Sequence, residues 1–359
     1  MILGEIDTPT GAFRLITMLL APLTSALIVA LSGIRVASAA PPCVPEPVAT
    51  IRTAGVGAED IVALPLGDGR VRLFVREVCR GWRCKPTSDR FRIGFVDVTA
   101  DATGSSTQHA WRPAGAFEPL GMSLVLGQAA GDATLYVLDA VKPPRIWRLQ
   151  IVGGVIQPAE RPWITEPAIE AGNDIQAAGD HVHVTRFDGL GFLPVRFGRW
   201  PGLVKVGPDQ GPVPYAEGFR GANGVVDLGD DLLVSDYWSR RLRRVSKDPG
   251  REGEPRFATA KLPIHPDNLT LDGDRVVIAG QKSFFLTAMN LLAGFVPSPS
   301  SVLAIAVAHL GPEAEPTPLW SGGWSHGRSV SVAVPVPGRL VLGQIRAPGV
   351  LIVRCPTGP

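Results

Sequence analysis

Apolar residues in this chain come in short runs, five to eight residues long, rich in Val, Ile and Leu and bounded by Gly, Asp or Pro. The runs are Val71–Val78, Thr134–Asp139, Arg145–Ile151, His181–Phe187, Asp231–Tyr237, Arg241–Ser246, Arg275–Ala279, Val302–His309, Arg339–Ile345 and Val350–Arg354. Turn signals stand between them at Gly67-Asp68-Gly69, Gly179-Asp180, Gly229-Asp230 and Asp272-Gly273-Asp274, as tight hairpins require. No extended helical periodicity competes, so the pattern predicts an all-β chain. Two apolar segments break the rhythm, Phe187–Trp200 and Ser283–Pro299. Two readings are open for them: cover for a sheet edge or packing between blades, or a functional role as walls of an apolar pocket or as a contact with a membrane surface.

Six short motifs recur just where strands begin: Glu59-Asp60, Gly121-Met122, Asn173-Asp174, Asn223-Gly224, Asp267-Asn268 and Gly327-Arg328. A repeat near 50 residues with several short strands per unit is the signature of a propeller blade. The expected fold is therefore a six-bladed β-propeller over residues 40–359, its ring closed by strands from both ends. Each motif then faces the common axis, where carboxylates and carboxamides with almost no nearby Cys or His describe a hard-cation site, most simply calcium.

Composition fits this reading. The chain has 359 residues, 45% of them hydrophobic, with 41 Gly and 34 Pro to supply turns. A net charge of +2 excludes a nucleic-acid binder that works by general electrostatics. The basic run Arg240–Arg244 alternates with a strand and reads as a solvated face. Residues 1–39 stand apart: Arg14 precedes a mostly apolar run from Leu15 to Ile34, then Ala37-Ser38-Ala39 offers a cleavage site. This is the pattern of an export signal, with a retained anchor as the alternative, and it places the protein in the periplasm or outside the cell.

The cysteines agree with export. Cys43 follows the cleavage site and Cys355 lies near the end of the chain. A bridge between them would lock the closing blade and contribute about 5 kcal/mol in the chain-entropy model. Cys79 and Cys84 could close a small loop. The spacing of the four does not suit zinc.

With these motifs in place, the chain resembles the serum paraoxonase/arylesterase family, and more distantly the strictosidine-synthase-type and gluconolactonase-type propellers. The resemblance runs from Cys43 to Cys355 and rests on Gly57-Ala58-Glu59-Asp60-Ile61, Gly172-Asn173-Asp174-Ile175, Gly218–Gly224 and Asp267-Asn268-Leu269. It implies six blades and two calcium ions in the central tunnel. A catalytic ion would be held by Glu59, Asn173, Asn223, Asp267 and Asn268. A deeper structural ion would be held by Asp60, Asp174 and the backbone carbonyl of Met122. It also implies a ring-closing disulfide, which the terminal cysteine pair matches.

The departures are as informative. The family's histidine pair would fall at Leu120 and Ala140, which move no proton, and a third pocket histidine at Gln281. Gluconolactonase-type propellers hydrolyse lactones around a metal without that pair, so hydrolysis does not require it. Among the six histidines, His265 stands two residues before Asp267 and would share its strand face, which makes it the first candidate for a base. His326 is the second, His181 and His183 read as structural, and nothing singles out His109 or His309. Asp267 could itself act as base while touching the metal.

The leading expectation is an exported, calcium-dependent hydrolase of small apolar lactones or aryl esters, with calcium polarising the carbonyl. The alternatives are a non-catalytic calcium-stabilised binding propeller and a strictosidine-synthase-like enzyme. Asn268-Leu269-Thr270 fits a glycosylation sequon, but a metal-facing Asn is a poor acceptor.

Overall fold

The computed structural model describes residues 43–53, 57–77, 91–99, 106–187, 202–293, 296, 298–322, 329–345, 347 and 349–355. Residues 1–39, read above as an export signal, Cys79 and Cys84, His326 and the Gly327-Arg328 motif lie outside them.

The described chain is a six-bladed β-propeller of antiparallel sheets. The first strand, β1 (Val44–Ile51), is lent to the last blade. Blade I follows with β2 (Ile61–Pro65), β3 (Val71–Glu77), β4 (Arg92–Val98) and β5 (Gln108–Trp111). Blade II has β6 (Pro119–Leu126), β7 (Ala133–Asp139) and β8 (Arg145–Val152), with the two-residue strands β9 (Val155–Ile156) and β10 (Ile164–Thr165) both paired to β8. Blade III runs β11 (Gly172–Ala178), β12 (His181–Arg186), β13 (Leu203–Val206) and β14 (Val213–Ala216). Blade IV runs β15 (Ala222–Asp227), β16 (Asp231–Asp236), β17 (Arg241–Ser246) and β18 (Pro255–Phe257). Blade V consists of β19 (His265–Asp272), β20 (Arg275–Gln281), β21 (Ser300–Ala306) and β22 (Thr317–Gly322), interrupted after β20 by the helix α1 (Phe284–Ala293). Blade VI closes with β23 (Val330–Val336), β24 (Arg339–Gln344) and β25 (Val350–Arg354), and β1 pairs antiparallel to β25 from Val44 opposite Arg354 to Ile51 opposite Val350.

The six strands β2, β6, β11, β15, β19 and β23 each contact the next, and β2 meets β23, so the ring is complete. The second strand of each blade is buried on both faces by its neighbours, which explains why Leu135–Leu138 and Val276–Ala279 read as unbroken apolar runs rather than alternating ones. Between blades I and II the packing is aromatic, with Trp111 set edge-on to Phe117 and Trp147 at centroid distances of 5.4 and 5.1 Å. Cys43 and Cys355 join across the seam of blade VI, with Cα atoms 4.2 Å apart.

One element departs from the sequence reading. Residues 284–293, within the apolar segment Ser283–Pro299, form α1. Ser283 caps it, its carbonyl accepting from the Thr287 amide at 3.1 Å. Ten residues are too few to span a bilayer, and no helix among the described residues is long and apolar enough to do so.

Candidate functional site

A regular strand sends consecutive side chains to opposite faces, so two adjacent acid or amide residues could not both serve an axial site. The inner strands solve this with bulges. Register slips between Gly172 and Ile175 in β11, between Ala222 and Val225 in β15, and between Pro266 and Leu269 in β19. In each case the slip falls on the motif itself, and such a bulge re-aims the residues it contains. Glu59-Asp60 reaches the same place by standing just before β2. The result is two layers of polar groups along the axis.

The deeper layer is built from Asp60 and Asp174. Each carboxylate accepts the amide of the following residue and an amide from the next blade. Asp60 takes Ile61 at 2.9 Å and Met122 at 2.5 Å, while Asp174 takes Ile175 at 2.8 Å and Val225 at 2.9 Å. Met122 therefore meets Asp60 through its N–H, whereas the resemblance gave it a role through its carbonyl. Close approach is essential here: a Cβ on Gly121 would sit 2.5 Å from the Asp174 Cα, and one on Gly224 2.6 Å from the Asn268 Cα. Burial, the largest cause, pushes both carboxyls above the usual range. The Met122 amide and the Arg76 charge oppose this at Asp60, while the charge of Asp60 adds to it at Asp174. Below this layer a cavity of about 280 Å³ opens, lined partly by Ser123, Gln176 and Leu269.

The upper layer brings together Glu59, Asn173, Asn223, Asp267 and Asn268 on the wall of a second cavity, of about 250 Å³. Here side chains hold side chains. The Asn173 amide donates to the Asn223 Oδ1, and the Asn268 Nδ2 donates to the Glu59 carbonyl at 3.0 Å across the tunnel. Gln281 donates from Nε2 to Asp267 Oδ2 at 2.8 Å and to the Val330 carbonyl at 3.1 Å. Arg76, from the second strand of blade I, donates from Nη1 to Glu59 Oε2 at 2.5 Å and from Nε to the Pro119 carbonyl at 2.5 Å. The sequence reading missed Arg76, because in Val71–Glu77 it stands on the same parity as Arg72, which pairs with Asp97.

Aromatic rings wall the upper cavity. Phe187 stacks on Trp238 with planes 11° apart, Trp238 meets Phe284 edge-on at 4.4 Å, and Tyr237 packs edge-on to Phe187 at 5.5 Å. Burial, and secondarily the charge of Asp267, raise the Tyr237 phenol far above its ordinary value, so it stays neutral. Both segments that broke the strand rhythm thus contribute a ring, Phe187 from one and Phe284 from the other. Leu120 also lines this cavity.

No histidine is among the described residues lining the cavity. His265 packs against Tyr237 and Trp238, with ring centroids 5.0 and 6.3 Å away, and its Nδ1 lies 3.1 Å from the Tyr237 carbonyl oxygen. His181 and His183 lie in β12 of blade III.

No family model and no curated protein matches this chain. Among solved structures it is similar to a gluconolactonase of Xanthomonas campestris at 13% identity, over 87% of this chain and 99% of that one, with a TM-score of 0.47. It is similar to a luciferin-regenerating enzyme at 14% identity, over 85% and 94% of the two chains, with a TM-score of 0.48. A PQQ-bound aldose sugar dehydrogenase of Streptomyces coelicolor aligns at 16% identity over 88% and 99%, with a TM-score of 0.48.

The donor set suits a hard cation. All five upper side chains offer oxygen, and the deeper pair are buried acids whose protons a cation would displace. Among the described residues no three His, Cys, Asp or Glu side chains gather into a metal-binding group, so any ion here depends on amides and main chain as well as carboxylates.

Proposed function

We propose that the tunnel is the site of a calcium-dependent hydrolase acting on small apolar lactones or aryl esters. The observation that carries this is the upper layer itself: five oxygen-bearing side chains beneath an aromatic wall, in a cavity of about 250 Å³. Glu59, Asn173, Asn223, Asp267 and Asn268 would hold one ion, and Asp60, Asp174 and the Met122 main chain a second. When bound, calcium supplies a Lewis acid for a carbonyl oxygen.

The rest falls to the chain. Phe187, Trp238 and Phe284 offer an apolar surface for the ring of a substrate and keep bulk water from it. Asp267, a carboxylate on the wall of this cavity beside the rings, takes the proton of the attacking water. Gln281 fixes one Asp267 oxygen at 2.8 Å, which orients the other. His265 props the aromatic wall from behind rather than moving the proton. The export-signal pattern and the seam disulfide support a location outside the cytoplasm.

Turnover of a lactone and aryl-ester panel, measured with calcium and with chelator, tests the reading. Chelator-sensitive hydrolysis is expected. Folded, calcium-loaded protein that is inert across the panel would leave the second reading, a binding propeller, which the absence of histidine among the described residues lining the cavity favours.

A further inference from the structure

The seam between blades III and IV is packed unevenly. Part of it closes on an apolar cluster, in which Leu203 and Ala216 meet Val225 and Val234. The rest, beside the turn from β11 to β12, holds a cavity of about 410 Å³, larger than either axial cavity. Strand alternation explains its lining. Val182 and Val184 pack into the apolar cluster shared with blade II, so His181 and His183 point the other way. Lys205 stands opposite His183 on β13 and shares its face, while blade IV supplies Asp227, Lys247 and Glu252.

Two features mark this cavity as a site rather than a packing fault. His183 lines it and is 1% exposed, yet neither ring nitrogen bonds any described residue. A buried imidazole without a partner is unfavourable unless a ligand supplies one. The charges of the cavity are also separated. Those acting on His183 are His181, Lys205 and Lys247, which after burial hold its pKa at about 3. The Tyr215 ring lies 4.5 Å from the His183 ring, and burial, then Glu252, Asp227 and Asp231, raise its phenol to about 12. The His183 wall is therefore the electropositive one. Lys205 bonds Glu252 at 3.1 Å and Lys247 bonds Asp227 at 2.7 Å, one described bond for each three-donor ammonium. Glu252 is the more replaceable acid, with its side chain 44% exposed between β17 and β18 against 29% for Asp227.

We infer that the cavity between blades III and IV binds a small organic oxyanion, a carboxylate or a phosphate ester, through Lys205, Lys247 and the His183 N–H, with Glu252 displaced to solvent. Glu252 stands on Lys205 as the internal substitute for that group. A volume of about 410 Å³ leaves room for the body of a small molecule beside its anionic end. A metal ion suits the cavity poorly. Two ammoniums line it, and among the described residues no three His, Cys, Asp or Glu gather into a metal-binding group. The site is independent of the calcium reading, since His183, Lys205 and Glu252 line neither axial cavity.

Titration of the full chain with phenyl phosphate and, separately, with benzoate tests this by NMR of labelled histidine side chains. The His183 ring resonances, assigned by their loss in His183→Phe, should move saturably with at least one of the two anions. A response to phenyl phosphate alone makes the ligand a phosphate ester, and a response to benzoate alone makes it a carboxylate. Lys205→Gln, which removes a charge from a partly exposed position, should weaken the binding about tenfold. Glu252→Gln should strengthen it several-fold. Resonances that stay in place with both anions would overturn the inference. So would a shift that chloride reproduces at the same concentration, or binding that Lys205→Gln leaves unchanged.

Discussion

The two layers of the tunnel use similar residues to different ends. In the deeper layer each described hydrogen bond to the Asp60 and Asp174 carboxylates comes from a main-chain amide, one from its own blade and one from the next. In the upper layer the donors are side chains, reaching other side chains as well as main-chain carbonyls, and the groups face a cavity that a small molecule can enter. Main-chain partners cannot swing away, so the deeper pair belongs to the framework. Side-chain partners can rearrange around a ligand, which is why the proposed chemistry is assigned to the upper layer. The difference teaches that adjacent residues of one motif, such as Asn173 and Asp174, can be assigned separate duties by a single bulge.

The sharpest way to break this division is to damage one layer and look for the effect in the other. Asp267→Asn keeps the shape and an oxygen ligand but removes the base. It should lower kcat by about a thousandfold with little change in melting temperature. A variant that melts early yet turns over normally would reverse the assignment of the layers. Asp174→Ala is the counterpart. It leaves the Ile175 and Val225 amides without their acceptor and should cost about 3 kcal/mol of stability, as read by denaturant unfolding. It should also erase any rise of melting temperature on adding calcium.

A third prediction lies outside both layers. His183 is buried, neither ring nitrogen has a hydrogen-bond partner, and its pKa falls from 6.5 to about 3. Burial is the main cause, with the charges of His181, Lys205 and Lys247 adding to it. The unfolded chain takes up this proton below pH 6.5 and the folded chain does not until about 3, so stability is full above the first value and declines between the two. At pH 5 the loss is about 2 kcal/mol. His183→Phe should flatten that limb of the pH–stability curve. A curve unchanged by the substitution would overturn this assignment, because the tunnel carboxyls, raised by burial, favour the fold as pH falls. The smallest effect is expected at the wall: Phe284→Ala should raise KM for aryl esters several-fold, equivalent to about 1 kcal/mol, and leave kcat nearly intact.

The blade count and the axial motifs were legible because they rest on local signals: turn residues at the tips, and acid or amide pairs at strand starts such as Asp267-Asn268. The closing strand was legible from the placement of Cys43 and Cys355. The bulges were not, since a slip of register leaves no mark in a hydrophobic pattern whose period is two. Arg76 was hidden for a related reason. Parity puts it with Arg72, and only its place at the inner end of β3 turns it into the tunnel. For α1 a signal existed and was outweighed. Ser283 followed by Leu286, Ala288, Met289, Leu291 and Leu292 holds good helix formers behind a capping residue, but two leading phenylalanines made the segment look like loose cover.

The seam between β1 and β25 governs the order in which this ring can assemble. Five blades are made of neighbouring hairpins, whose contacts are short-range and quick to form. The sixth needs two segments whose cysteines are 312 residues apart in sequence. A growing chain therefore holds an open arc until its final strand emerges. The axial carboxylates can face one another around a full circle only then, so the tunnel is the last part of the ring to be completed rather than its nucleus.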